Sequence, residues 1–559
     1  MAARALSELE GLARAFGGDA AARKLSLLEG LGRRRLPSAR AVLRLHEVLV
    51  FLRAYPDDAA VLATVERLLA GFERRADLRR HRAALANSGI AGTPIHYSFF
   101  LPTARWIVRR HPGLLRVDWA SFGHADRLLS KLWTLMPDAE ENALTGLDHG
   151  LRAWVRLLKG DQETDAEFLV RRLAAMRADH DVAEELYDDL DMPMRIDPAP
   201  GSPSRTAARY AKARVHFQTA PLDTRRPRLR AALAVPPRAV RSVSTAEGRV
   251  LIDMARASMV TRSRDLDVFM HGDPRDVRLV DCGDGLQFAA IGMRPERRLF
   301  LEAVYGFLTL KNGVPIGYVL ASGLNGSSEI AYNIFDTYRG GEAGQVYGRI
   351  LSMVHHLLGS TAFVVDPYQL GHDNEEGLSS GAWWFYYKLG YRPQDPAIRH
   401  LVAKERARIA KNPRHRSTRA ALQRLSAEYM YWFDGPVRRE VLGLLDLANL
   451  SLGVSRHLAR RFGGDREAGE RACAKEAAAL LGVRSMKRFT PAQRAAWKRW
   501  APLVMAMPRV ARWGTASKRA LVAVIRAKGG RRESDFVRLL NAHRPLRRAL
   551  LAFADAKHA

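Results

Sequence analysis

The sequence predicts an α+β fold: a mixed, mostly antiparallel sheet with flanking helices, set between helical N-terminal and C-terminal regions. Three observations carry this. Between about 246 and 400, apolar segments, often alternating, are separated by short glycine turns. One of them runs through a glycine-bearing loop into an amphipathic helix. On both sides of this stretch the apolar spacing is helical instead.

Residues 1–185 read as helix after helix. Val42, Leu45, Val48, Leu49 and Leu52 share a helix face, the breaker "YPDD" follows, and a second apolar-periodic run begins. No fixed period recurs, so a repeat protein is not expected. Residues 186–245 hold "DPAPGSPS", "RRPRLR" and "VPPRAV", a Pro-rich, basic passage that suits a linker or an extended connection. Next comes a helix, "EGRVLIDMARASM", entering a loop. The segments "LQFAAIGM", "RLFLEAVYGFLTL", "VPIGYVLASGL" and "SEIAYNIFD" form an antiparallel meander, with Asn-Gly turns at two of the joints. The stretch "YRGGEAGQVYGRIL" opens a helix that is apolar at Val346, Ile350, Val354 and Leu357 or Leu358. A short strand, "TAFVVD", and a helix, "SSGAWWFYYKLGYRP", close the region. Residues 401–559 return to helices, broken near "RFGGD" and "AKGGRR".

A chain of 559 residues exceeds what one core supports, so several domains are expected. A hydrophobic fraction of 47% excludes a disordered chain. No apolar run reaches the roughly 18 residues of a membrane span, and charges interrupt what would have to be the apolar core of a secretory signal in "MAARALSELEGLARAFGG". Cys282 and Cys473 are the only cysteines, which argues against a disulfide framework or a cysteine-rich zinc site and favours the cytoplasm. The net charge of +30 is uneven: residues 401–559 hold about 35 Lys and Arg against about 12 Asp and Glu. That segment is the expected contact for an anionic partner, unless its arginines simply solvate helix surfaces.

The order of elements and two motifs, "YRGGEAG" and "FYYKLGYRP", resemble the GNAT superfamily of N-acetyltransferases over about 150 residues and nowhere else. The first is similar to the family's Arg/Gln-x-x-Gly-x-Gly/Ala loop, and the second is close to its "FYeklGF" ending. The resemblance implies acetyl-CoA as co-substrate. The loop, through Arg339, Gly340, Gly341, Ala343 and Gly344, would hold the pyrophosphate, because amides at a helix N-terminus favour an anion. Backbone groups of Ile334 and Phe335 would meet the pantetheine arm in a splay between two strands. Glu342 departs from the pattern and leaves two registers open. With Arg339 as the motif's first residue, Glu342 replaces a loop glycine. With a loop one residue shorter, Tyr338 takes that position and Gly341 and Ala343 supply the Gly-x-Ala. The helix favours the shorter loop, which buries Val346, Tyr347, Ile350 and Leu351, whereas the longer one buries Gly348 and Arg349.

The second motif implies that Tyr386 protonates the departing thiolate, a task suited to a phenol that stays protonated at neutral pH. The run "AWWFYY" equally serves as a packed aromatic wall, and Ser379 stands where the family often has an Asn. For the general base, Glu329 and Glu302 are the candidates by position on the strands. The cluster Asp265, Asp267, His271, Asp273 and Asp276 has ligand-type side chains, yet "HGDPRD" is ordinary turn chemistry, and no metal is expected. Asp366, His372, Asp373 and Glu375 lie on a substrate-side loop. Across 484–548, Trp497, Trp500 and Trp513 alternate with Lys and Arg, a pattern that serves nucleic acid, an anionic membrane surface or buried helix faces. The expected function is acyl-CoA-dependent N-acyl transfer to an amine; the alternative is a catalytically silent CoA-binding or scaffold module.

Overall fold

The computed structural model describes residues 2–132, 149–176 and 180–556. The rest of the N-terminal segment read as helical, residues 133–148 and 177–179, lies outside the described residues. The chain is α+β and divides into two compact units.

The first unit comprises Met1–Leu222, Arg249–His271 and Leu310–Ile316. Its helix Ala39–Ala54 buries Val42, Leu45, Val48, Leu49 and Leu52, the set that the spacing marks. Ser38 caps it by accepting the Ala41 N–H, and Asp58 of "YPDD" caps the next helix, Ala59–Ala70, by accepting from Val61. The region is not wholly helical. β1 (Ile95–Tyr97), β2 (Leu115–Val117) and β3 (Met194–Ile196) pair antiparallel in the order β1-β3-β2. Three residues are too few for alternation to stand out in a sequence. β3 comes from the passage read as a linker.

The second unit comprises Asp223–Gly248, Gly272–Thr309 and Gly317–Ala559. The nine-stranded sheet, which lies in this unit except for the hairpin end Leu310–Ile316 of β7 and β8, is built from β4 (Ala239–Ser242), β5 (Gly272–Gly283), β6 (Leu286–Met293), β7 (Ala303–Lys311), β8 (Val314–Leu324), β9 (Ser327–Ile334), β10 (Ala362–Val365), β11 (Arg392–Pro393) and β12 (Met430–Phe433). The order across the sheet is β11-β12-β10-β9-β8-β7-β6-β5-β4. β9 and β10 are parallel, while β4–β5, β5–β6, β8–β9, β10–β12 and β11–β12 are antiparallel. The turns Asp284-Gly285, Asn312-Gly313 and Asn325-Gly326 each hold two residues at positive φ, the backbone that a two-residue hairpin requires. The stretch "HGDPRD" is no simple turn: Gly272–Asp276 opens β5, with Pro274 inside a register shift where a missing N–H costs no ladder bond.

The connection from β9 to β10 is the loop helix Ala343–Leu358, which ends at Gly359 in the left-handed conformation. Its buried face joins a core shared with the sheet and the C-terminal helices. Trp497 and Trp500 are each 1% exposed, so they are core rather than stacking platforms. Among the described residues, no helix is long and apolar enough to cross a membrane.

Candidate active site

β9 and β10 form a fork. Their registered pairs are Ala362↔Ser327, Phe363↔Ser328 and Val364↔Glu329. Beyond Glu329, β9 stays paired with β8 as far as Ile334↔Gly317, whereas β10 ends at Val365. The edge of β9 on that side therefore offers backbone groups to an extended ligand, as an open sheet edge does.

Glu329 stands at the root of the fork, in a row that crosses four strands: Ser322, Glu329, Val364 and Tyr431. Its carboxyl hydrogen-bonds the side chain of Asp366, the first residue after β10. Asp366 also caps the short helix Pro367–Leu370 by accepting the Gln369 N–H at 2.7 Å. Burial pushes the Glu329 carboxyl up to about 8, and the charges of Asp366 and Glu302 push the same way. A carboxyl held that high keeps its proton at neutral pH and donates it to Asp366. Glu302 is also raised by burial, against a hydrogen bond from Ser322 and the nearby Lys528 ammonium. Lys528 donates to the Glu302 carbonyl at 2.7 Å and to the Glu533 carboxylate at 2.6 Å. Burial raises the Tyr429 phenol, and Glu329, Asp366 and Glu302 add to the effect.

Tyr386 lies on the helix Ala382–Leu389 and is buried, with its ring 5.6 Å from that of Tyr347 on the loop helix. Burial and the charge of Asp366 raise its phenol above the ordinary range, so it remains a proton donor. Tyr387 faces elsewhere: it stacks on Trp383 at 5.2 Å, and the Arg392 guanidinium lies 4.1 Å from its ring centroid. Asp366 thus acts electrostatically on both Glu329 and Tyr386, the two residues that sequence reasoning named as catalytic.

The loop between β9 and its helix is more engaged than an empty anion cradle. Arg339 donates from Nε to the Ile334 carbonyl at 3.1 Å and pairs with Asp336 and Glu376. The Phe335 carbonyl accepts the Tyr338 N–H. The carbonyls of the two residues whose backbone is expected to meet pantetheine therefore already hold one bond each. Gly340 has φ of +75°, which favours glycine. Glu342 is the N-cap residue, half-buried, and its side chain does not cap the helix. Ala343 opens the helix and its carbonyl accepts the Tyr332 hydroxyl. Gly344 serves packing, since a Cβ there would lie 3.3 Å from Pro227. The helix buries Val346, Tyr347, Ile350 and Leu351, as the shorter register requires. It also buries Gly348 against Pro227 and Ala232. Gln345 donates to Asp223 and to the Arg225 carbonyl beside the helix start.

The cluster read as a possible metal set is divided. Asp265 accepts from the Thr103 hydroxyl and the Phe100 N–H in the first unit. Asp273 pairs with Arg275, and Asp276 accepts from the Tyr305 hydroxyl, in the second. Sequence reasoning placed Asp366 on a substrate-side loop and did not single out Ser322, Tyr429 or Tyr431. An Asp-Pro step directly after an apolar strand is an N-cap signal that marks Asp366. The aromatic alternation in "EYMYWF" marks β12.

In comparisons with protein families, curated proteins and solved structures, none matches the chain.

Proposed function

We propose that the second unit is an acyl-CoA-dependent N-acyltransferase of the GNAT type, with acetyl-CoA as donor and an amine as acceptor. The observation that carries this reading is the fork between β9 and β10, with the Glu329–Asp366 pair at its root and Tyr386 within the field of Asp366. The resemblance puts the thioester in this splay. An amine arriving as an ammonium ion must lose a proton before it attacks, and the carboxyl pair accepts it. The new C–N bond forms as the C–S bond breaks, and the leaving thiolate takes a proton from Tyr386. The second proton shed by the nitrogen restores the phenol, so one proton, the one taken by the carboxyl pair, is released to solvent per turnover. The scarcity of cysteines fits a cytoplasmic enzyme.

A second reading rests on the bonds already made by the Ile334 and Phe335 carbonyls and on the ion pairs of Arg339. In that reading the unit is a catalytically silent CoA-binding or scaffold module, and the basic C-terminal helices bind an anionic partner such as nucleic acid. Incubating the full chain with acetyl-CoA and a panel of primary amines separates the two. The enzyme reading expects amine-dependent release of free thiol that falls about 10²- to 10⁴-fold in Glu329→Gln. Release that is absent with every amine favours the silent module, whereas amine-dependent release that is equal in the variant removes Glu329 from the chemistry.

A further inference from the structure

The helix Arg544–Ala554 buries Leu546, Leu550 and Phe553, and His543 caps it by accepting the Leu546 N–H at 3.0 Å. That buried face leaves Arg544, Arg547, Arg548 and Leu551, with Glu440, to line a half-open hollow of about 330 Å³. Glu440 is already neutralised. Arg547 donates to it at 2.6 Å, and the Arg438 guanidinium lies 3.7 Å away. Burial lowers the affinity of Arg438 for its proton, and the like charge of Arg547 lowers it further, so the two cations repel each other across one carboxylate. Arg544 and Arg548 are exposed and have no ion-pair partner among the described residues. Three guanidinium groups thus stand against one carboxylate around a concave space, and a fourth, that of Arg438, already shares that carboxylate.

We propose that this hollow is a binding site for a phosphate group carried by a small molecule. Guanidinium forks match the oxygens of phosphate two at a time, which an ammonium cannot do. The hollow has the size of a small-molecule site, whereas a nucleic acid is held along an extended basic track. With Glu440 already shared by Arg547 and Arg438, the charges of Arg544 and Arg548 are left for an incoming anion. The site stands apart from the acyltransferase reading, which needs none of these residues.

The test titrates the full chain with inorganic pyrophosphate by calorimetry at fixed ionic strength. Three proteins are compared: wild type, the double variant Arg544→Ala/Arg548→Ala, and a control, Arg484→Ala/Arg488→Ala, that removes two exposed arginines elsewhere. The expected result is saturable binding that weakens about tenfold or more in the first variant, is unchanged in the control, and leaves both melting curves intact. Absence of saturable binding overturns the proposal. So does equal binding in wild type and the first variant, which would assign pyrophosphate to the loop before Ala343 or to another place. Equal weakening in both variants, or tight capture of a single-stranded oligonucleotide in place of pyrophosphate, overturns it as well, because either outcome describes a general basic surface.

Discussion

Glu329 is kept neutral by its position where two strands part, with a negative neighbour on the far side. An ordinary glutamate releases its proton near pH 4.3, whereas this one holds it to about 8. The folded chain therefore binds a proton that the unfolded chain has released. The resulting stabilisation is complete below the ordinary carboxyl range and is lost as the pH rises through about 8. Glu329→Gln is expected to melt progressively higher than wild type between pH 5 and 9, by differential scanning calorimetry; parallel curves for the two proteins would refute the assignment. Turnover in wild type should rise through the same pH range, since the ionised pair is the better base. Tyr386 gives the second expectation at this scale. Tyr386→Phe keeps the ring against Tyr347 and removes the proposed proton donor, so kcat should drop about 10²- to 10⁴-fold with little change in acetyl-CoA affinity. Tyr387→Phe should change kcat much less, because that side chain stacks on Trp383 instead. Equal, small effects would make Tyr386 part of the aromatic wall and no more. Tyr386 and Glu329 become candidates from motif and strand position alone. The closeness of Asp366 to Glu329 depends on a parallel neighbour that no local pattern announces, although its Asp-Pro step marks it as an N-cap.

The apolar segments bounded by glycine turns or an Arg-Pro step are legible almost residue for residue: "LQFAAIGM" is β6 and "VPIGYVLASGL" is β8. β5 was hidden because a proline and two aspartates occupy its irregular first half. β12 lies inside a passage that otherwise reads as helical, so only the aromatic alternation across its four residues signals it. The loop helix shows how one glycine-rich stretch serves two ends. Gly340 supplies a positive φ at the turn, while Gly344 and Gly348 allow Pro227 and Ala232 close to the helix. Spacing alone does not separate the two uses. The loop's role is tested by two substitutions and a CoA titration. If the loop holds a pyrophosphate as proposed, Gly341→Asp should abolish binding by placing a charge and a Cβ in its cradle, whereas Glu342→Gly should hardly alter it. A large gain in affinity for Glu342→Gly would instead place that carboxylate in the cradle, as the longer register requires.

At the scale of the whole molecule, charge and composition bounded the reading without locating function. The excess of arginine after residue 401 is real, but its tryptophans are structural: Trp497 and Trp500 belong to the core, and only the arginines face outward in number. The two compact units also cut across the four sequence segments, since each is assembled from stretches distant in the chain. Composition shifts mark changes along the chain and are blind to such returns. In the proposed function the forked strands, the loop and Tyr386 form a site for an acyl-CoA. A ligand that binds only the folded state stabilises it by about 2.7 kcal/mol at one hundred times its dissociation constant. Thermal melts of the full chain across a titration with acetyl-CoA should therefore show a saturable rise in Tm that is lost in Gly341→Asp. Melts that do not move with millimolar acetyl-CoA or with longer acyl-CoAs would contradict the account.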